Sequence, residues 1–219
     1  KSEINQEIVQ TVGGSAGNTI FALAYLGIQT SFIGKIGNCA SGYLYKESLA
    51  QHGGSTQSLK IGNIPNGKCL SLVTPDGERT MRTSLGAAMT LSADDLSPTD
   101  FEGYDHLHIE GFLIMNKDVL LKALDLAKAS HLTISFDLAS FEIVNQFKTD
   151  LQEILKNYID MVFANEDEAS AFTQLPLAQS EESLKSLSEL CETAVVKLGA
   201  KGTLIAKDNK IIRSEASPV

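Results

Sequence analysis

The chain has 219 residues, 43% of them hydrophobic and 21% charged, which is enough to bury the core of one full α/β domain. Its net charge of −9 argues against a nucleic-acid partner, because neutralising phosphates requires a basic face. No apolar run approaches the roughly 18 residues of a membrane-spanning helix, so no membrane partner is expected.

Three cysteines, Cys39, Cys69 and Cys191, lie far apart, and no C-x-x-C pair occurs. This spacing argues against a disulfide framework and against a zinc knuckle. The first residues, Lys1 to Asn5, are polar and unlike a signal peptide. We therefore expect reduced thiols in a cytoplasmic protein.

The first 88 residues contain two kinds of pattern. Residues 17–26 and 42–51 predict helices, with a short buried strand over 30–37 between them. Residues 68–74 and 79–84 predict two strands joined by a turn at 75–78. Because no helix adjoins this hairpin, we expect a small β element that stands off the main domain.

After Ala93 strands and helices alternate, which predicts a mostly parallel sheet with helices on both faces. The predicted strands cover 106–110, 132–138, 161–164 and 193–198, the predicted helices cover 117–130, 151–158 and 180–192, and a hairpin follows over 203–206 and 210–213.

A glycine-rich turn, Gly13 to Asn18, precedes the first helix. Its backbone N–H groups could meet an anion or a hydroxyl at the positive helix end, and Asn18 offers both a donor and an acceptor. A plain tight turn is the commoner meaning of such glycines. The G-x-G-x-x-G spacing is absent, which argues against a Rossmann-type oxidoreductase.

Residues 62–69 match a P-loop except at Cys69, where a Ser or Thr should bind magnesium. A P-loop must open a helix, but Lys68 here opens a predicted strand, and Pro65 sits in the loop. We reject this motif.

Three further places carry candidate chemistry at strand ends. Asn165 to Glu168 would suit a hydrated magnesium ion or, equally, an acidic helix start. Glu110 ends a strand where sheet ligands bind, whereas His106 and His108 lack a third metal ligand and are expected to be structural or solvated. The stretch from Lys197 to Gly202 could line a nucleotide, although an ordinary turn is favoured by the pattern alone.

Taken in order, these segments resemble the ribokinase family, the PfkB carbohydrate kinases. The resemblance rests on residues 13–18 followed by Gly27 and Gly37, on residues 74–80, on Asn165-x-x-Glu168 and on residues 197–202. It covers essentially the whole chain. Ile20 departs from the family pattern, which prefers a small residue there.

The resemblance implies a ribokinase-like, Rossmann-like α/β fold with a β lid. Residues 1–13 and 55–88 would form the lid, and residues 14–54 and 89–219 would form the core domain. The implied reaction is ATP-dependent phosphorylation of a sugar or nucleoside hydroxyl. ATP, Mg²⁺ and a monovalent cation are the implied cofactors, and a homodimer would form through the lid.

The resemblance also implies a role for each candidate residue. Gly13 and Gly14 would form the lid hinge and part of the acceptor site, where Asn18 and Glu110 would bond the acceptor. The other implied roles concern the nucleotide: Asn165 and Glu168 would organise Mg²⁺ and the phosphates through water, and Lys197, Gly199 and Gly202 would line its site.

Two family features are absent from the 219 residues. One is the first strand with its substrate-binding Asp, and the other is the Gly-Ala-Gly-Asp segment that carries the catalytic base, expected beyond Val219. No catalytic residue is therefore assigned within the chain, which is expected to be inactive as it stands. A non-catalytic sugar- or nucleotide-binding protein with the same fold is the alternative.

Overall fold

The computed structural model describes residues 9–77 and 79–216, and the chain divides after Leu91 into a first and a second unit. In the first unit, strands β1 and β2 pair in parallel, and strands β3 and β4 form an antiparallel hairpin. Its elements are α1 (Ser15–Tyr25), β1 (Gly34–Gly37), α2 (Ala40–Gln51), β2 (Leu59–Gly62), β3 (Lys68–Val73) and β4 (Arg79–Ser84).

A small apolar cluster holds the first unit together. Ile36, Leu49 and Leu59 are buried against one another, and the rings of Phe21 and Tyr45 pack on them. Burial raises the pKa of the Tyr45 hydroxyl to about 12, because the charged form would lose its hydration.

The loop between β2 and β3 packs on the end of β1. The side chain of Asn66 accepts a hydrogen bond from the backbone N–H of Gly37 at 3.0 Å. An added Cβ on Gly37 would lie 2.6 Å from the carbonyl oxygen of Ile64, so only glycine fits there. Lys68 opens β3 and not a helix, so the rejection of the P-loop is confirmed.

The second unit contains a six-stranded sheet in the order β10-β9-β8-β7-β6-β5. Strands β5 to β8 are parallel, while β9 and β10 are antiparallel at one edge. Its elements are β5 (His106–Glu110), α3 (Lys117–Ala129), β6 (Thr133–Asp137), α4 (Phe141–Tyr158), β7 (Met161–Asn165), α5 (Glu166–Thr173), α6 (Ser180–Ser188), β8 (Thr193–Lys197), β9 (Thr203–Lys207) and β10 (Lys210–Ser214).

Alternate residues of the parallel strands form the core of the second unit. On β6, Ile134 and Phe136 are fully buried, and Val162 and Ala164 are fully buried on β7. Helices α3, α5 and α6 pack on these strands. Register partners of a parallel sheet share a face, so the polar positions of the same strands line up on the opposite face.

Two elements differ clearly from the predictions. Helix α4 begins at Phe141 rather than at Leu151, with the Ser140 hydroxyl accepting a hydrogen bond from the Ile143 N–H. The backbone of Phe147 is non-helical, with a φ of −118°, and interrupts the helical spacing of apolar residues in α4. For this reason the sequence analysis did not detect the first turns of the helix. The pairing of β2 with β1 was not predicted.

Within the described ranges, no helix is both long and apolar enough to cross a membrane.

Candidate active site

Polar side chains gather where the parallel strands of the second unit end. Glu110 closes β5 and stands in register with Asp137 at the end of β6. Asn165 closes β7 and stands in register with Lys197 at the end of β8. The carboxyl ends of parallel strands are where α/β sheets bind ligands, so this edge of the second unit is the candidate site.

The central contact at this edge is an ion pair between strands that are not neighbours. The Lys197 ammonium donates to Oδ2 of Asp137 at 2.7 Å, reaching past β7. The other carboxylate oxygen of Asp137 accepts the Ala139 N–H at 2.9 Å. Both carboxylate oxygens of Asp137 are therefore used, and the ammonium keeps an exposed face, since the Lys197 side chain is 46% exposed.

Asn165 and Glu168 form a closed capping box at the start of α5. Both Glu168 oxygens accept from Asn165, from its N–H at 2.7 Å and from its amide nitrogen at 2.8 Å. In return the Asn165 side-chain oxygen accepts the Glu168 N–H at 2.8 Å. The helix-start interpretation of this motif is therefore realised in the structure.

The environment of Glu168 disfavours its charge. Burial raises the pKa of this carboxyl, the bond from the Asn165 N–H acts in the opposite direction, and Asp137 raises it further. Smaller effects come from Lys197, which lowers the pKa, and from Glu110, which raises it. The edge thus carries more negative than positive charge.

That excess of negative charge fits a hydrated cation held through water. Within the described part of the chain, no group of three or more His, Cys, Asp or Glu could hold a metal ion. Both Glu168 oxygens already accept hydrogen bonds from Asn165. A magnesium ion at this edge would therefore contact the capping box through its bound water molecules.

Glu110 is contacted by a histidine of its own strand. Nε2 of His108 lies 3.6 Å from Oε1 of Glu110, and both side chains are only 16% exposed. His106 and His108 are bonded to hydroxyl groups of β6. The expectation that these histidines are structural agrees with those contacts.

The two predicted nucleotide glycines lie in different surroundings. Gly199 is exposed with a φ of 54°, and an added Cβ would meet no atom within 4 Å. Gly202 is buried, and an added Cβ would collide with the carbonyl oxygen of Ser214. Close packing therefore explains why residue 202 is glycine, whereas the backbone of Gly199 is exposed to solvent.

The remaining predicted residues belong to the first unit. Gly14 is the N-cap of α1 with a φ of 109°, and its carbonyl accepts the Asn18 N–H at 2.8 Å. Gly13 and Asn18 are both exposed. The glycine-rich turn is therefore a helix start with an open surface.

Asp137 is the site residue that the sequence analysis missed. It stands at the end of a buried strand, as Glu110 and Asn165 do, and that shared position was the available signal. Its partner Lys197 lies 60 residues away, and no spacing rule connects two such residues.

Two nucleoside kinases are similar in sequence to this chain. The chain is 26% identical to adenosine kinase 2 of Arabidopsis thaliana over 237 residues, covering 100% of this chain and 67% of the relative. It is 27% identical to the guanosine-inosine kinase of Escherichia coli K12 over 191 residues, covering 80% of this chain and 43% of the relative. The chain thus spans only part of the length of these proteins.

Solved structures show the same fold. The adenosine kinase from Sinorhizobium meliloti superposes with a TM-score of 0.88 at 27% identity, over 96% of this chain and 65% of that one. A putative ribokinase II from E. coli, in complex with ATP and Mg²⁺, superposes with a TM-score of 0.81 at 24% identity, over 100% and 75%. The predicted ribokinase-like α/β fold is confirmed.

The family assignment follows from the whole length of the chain. Residues 1–219 match the pfkB family of carbohydrate kinases. The order of motifs that suggested this resemblance runs from the glycine-rich turn of α1 to the turn after β8. The chain belongs to the pfkB carbohydrate kinase family.

Proposed function

We propose that the protein transfers a phosphoryl group from ATP to a hydroxyl of a nucleoside or sugar. The Lys197–Asp137 ion pair beside the Asn165–Glu168 box carries this proposal, because it places an exposed cation at a ligand-binding sheet edge. Membership of the pfkB family supports the same reaction. A nucleoside acceptor is favoured by the relatives named adenosine kinase and guanosine-inosine kinase.

On the nucleotide side, the roles follow from charge and open backbone. Lys197 would neutralise a phosphate oxygen, since its side chain is 46% exposed and Asp137 fixes the direction of its ammonium. Gly199 and Gly202 would line the nucleotide, with only Gly199 offering exposed backbone. Asn165 and Glu168 would order the water shell of Mg²⁺. A monovalent cation stays a prediction of the family resemblance.

On the acceptor side, four residues are proposed contacts. Gly13, Gly14 and Asn18 at the start of α1 and Glu110 at the end of β5 would bond the hydroxyl groups of the acceptor. Residues 1–13 and 55–88 are proposed to act as the lid, and residues 14–54 and 89–219 as the core domain. The cytoplasmic location inferred from the unpaired cysteines also stays a prediction.

Nucleotide binding tests the role of Lys197 directly. We expect Lys197→Met to weaken ATP·Mg²⁺ binding about 10- to 100-fold, the effect of losing a charge-assisted hydrogen bond. Isothermal titration calorimetry on the full-length protein measures it. Lys207→Met is the matched control, since Lys207 ends β9 of the same sheet and pairs with Glu192 at 3.2 Å. Equal affinities for the wild type and Lys197→Met would contradict the assignment.

Turnover decides between a kinase and a binding protein. The full-length protein is incubated with ATP, Mg²⁺ and a panel of adenosine, guanosine, inosine, ribose and fructose, and phosphorylated products are detected by mass spectrometry. We expect a monophosphate product from at least one nucleoside. Acceptor and ATP binding without any product would support the non-catalytic alternative instead.

A further inference from the structure

The residue after β1 holds a position in the first unit like that of the site residues in the second. Asn38 directly follows Gly37, the last residue of β1. Strands β1 and β2 are parallel, so Asn38 lies at the carboxyl end of a parallel pair, where α/β sheets bind ligands. Asn38 is also exposed. It is therefore a candidate ligand contact of the first unit.

The backbone around Asn38 is held by close packing. Its N–H donates to the carbonyl oxygen of Gly62, at the end of β2, at 3.0 Å. Helix α2 begins directly after this segment, and an added Cβ on Gly42 would collide with the carbonyl oxygen of Gly37. Strand and helix thus fix the position from which the Asn38 side chain projects, as a precise ligand contact requires.

The amide of Asn38 is held by a tyrosine in the first turn of α2. The hydroxyl oxygen of Tyr43 lies 2.6 Å from Oδ1 of Asn38. This separation is usual for an O–H that donates to a carbonyl oxygen, whereas an amide N–H donates to an oxygen at about 2.7 to 3.2 Å. Tyr43 is therefore the donor, and the oxygen of the amide is the end that faces it.

The nitrogen of the same amide is available to a ligand. Within the described residues, Nδ2 of Asn38 makes no hydrogen bond. This nitrogen carries two hydrogens and cannot accept. Because Tyr43 bonds Oδ1, the free end of the amide offers donors only. It would bind an oxygen of a ligand, but it would not bind an amino group.

Helices α1 and α2 run in the same direction. An added Cβ on Gly17, in the first turn of α1, would lie 2.6 Å from the hydroxyl oxygen of Tyr45 in α2. The ring of Phe21, one turn further along α1, lies 5.6 Å from the ring of Tyr45 and 5.5 Å from that of His52 at the end of α2. Both helices therefore begin at the same end of the first unit.

That end also carries the glycine-rich turn. Gly13 and Asn18 are exposed, and Oδ1 of Asn18 would lie 3.8 Å from a Cβ added to Gly13, so the Asn18 side chain lies over the turn. Asn38 precedes α2 at the same end. Two exposed asparagine amides therefore lie at the end of the first unit that carries the proposed acceptor contacts.

We propose that Asn38 is a further contact of the acceptor, with its Nδ2 donating to an oxygen of the acceptor molecule. Tyr43 is a positioning residue, because an amide without its hydroxyl could turn and present the oxygen instead. Hydroxyl oxygens of a sugar and carbonyl oxygens of a base fit this donor. The inference rests on the proposed function, in which Gly13, Gly14 and Asn18 bond the acceptor.

Acceptor binding by the full-length protein tests the contact. Isothermal titration calorimetry uses adenosine, inosine and ribose as probes. We expect Asn38→Asp to weaken binding of the probe that the wild type binds most tightly about 10- to 100-fold, because a carboxylate can only accept and would face an acceptor oxygen. Asn157→Asp, on an exposed residue of α4, is the matched control for added charge. Equal affinities of the wild type and Asn38→Asp would overturn the contact.

A double-mutant cycle tests the positioning role of Tyr43. Tyr43→Phe keeps the ring and should weaken binding of the same probe about 3-fold, since the amide is no longer held. In the Asn38→Ala background the same change should have no effect. A loss of equal size in both backgrounds would show a merely structural tyrosine. Tyr25→Phe, 81% exposed at the end of α1, is the control.

The contact and the kinase reaction fail in different ways. Phosphorylated product together with an unchanged Kd and KM for the acceptor in Asn38→Asp would exclude the contact and leave the kinase standing. Weakened binding in Asn38→Asp, with no product from any acceptor in the wild type, would exclude the kinase and leave the contact standing. A wild type that binds none of the probes would overturn both.

Discussion

At the scale of single residues, the candidate site is built on an imbalance of charge. Three carboxyl groups, those of Glu110, Asp137 and Glu168, share the edge with the Lys197 ammonium, and the pKa of Glu168 responds to all three other groups. A bound ATP would add negative charge beside the ammonium, and its magnesium would offset it. A divalent cation at this edge would relieve the imbalance, whereas the phosphates alone would add to it.

Glu168 provides a test of this electrostatic picture. Because its pKa is raised in the folded protein, mainly by burial, its contribution to stability is present below the unfolded pKa and is lost as pH rises through the folded value. The free energy of unfolding of the wild type should therefore fall, relative to Glu168→Gln, between about pH 4 and about pH 7.

Urea unfolding at the two pH values measures this difference. Glu168→Gln loses part of the capping box at both pH values, so only the change of the difference with pH is diagnostic. Glu189→Gln, at the exposed C-cap of α6, is the control and should follow the wild type. A difference between the wild type and Glu168→Gln that is independent of pH would contradict the raised pKa.

Sequence reasoning reached the site only where local patterns exist. Asn165 and Glu168 are three residues apart at a helix start, so their contact was foreseeable from spacing, although not the choice between capping and magnesium. Asp137 was missed because its pairing with Lys197 depends on strand order. The contacts of His106 and His108 with hydroxyl groups of β6 likewise depend on the register of β5 against β6.

At the scale of elements, the alternating part of the chain was the most predictable. Buried parallel strands are short apolar runs bounded by turns, and β5 was predicted with its observed bounds, His106–Glu110. Strand β2 has only four residues and its pairing with β1 is long-range, so no local signal marked it. The early part of α4 was hidden by the interruption at Phe147.

Gly37 gives a prediction for the elements of the first unit. An added Cβ would lie 2.6 Å from the Ile64 carbonyl oxygen and 2.7 Å from the Pro65 carbonyl carbon, both backbone atoms. Gly37→Ala should therefore lower the free energy of unfolding by about 3 kcal/mol, the upper range of overpacking. Chemical denaturation monitored by circular dichroism measures it.

Gly13→Ala is the matched control for Gly37→Ala. An added Cβ on Gly13 would meet only Oδ1 of Asn18 at 3.8 Å, an ordinary contact. Its stability should stay within about 0.5 kcal/mol of the wild type, as for surface changes in general. Equal stability of both variants would show that the loop after β2 does not pack on Gly37 in solution.

At the scale of the whole molecule, the exposed β3–β4 hairpin is the surface where we expect a partner to bind. Every residue of β3 is exposed, and the described part of the chain pairs neither outer edge of this two-stranded sheet. Leu70 and Leu72 are 56% and 51% exposed on one face, and Val73 and Met81 are each 58% exposed on the other. An isolated two-stranded sheet of this kind is marginally stable in water.

We therefore propose that the hairpin pairs with the hairpin of a second copy, as the lid of a homodimer. Apolar residues on the hairpin faces would be covered and its open edges paired, which suits a self-complementary contact. Sedimentation velocity of the full-length protein over a range of concentrations should show a dimer that dissociates on dilution. The double variant Leu70→Glu and Leu72→Glu should remain a monomer, because it would bury unpaired charges.

Leu177→Glu separates this contact from a general effect of added charge. Leu177 is 51% exposed in the second unit, outside the hairpin, and its variant should dimerise as the wild type does. A wild type that sediments as a monomer at every concentration would exclude the lid dimer. Dimers of unchanged strength in the Leu70→Glu and Leu72→Glu variant would place the contact elsewhere, since two buried charges must weaken an interface that contains them.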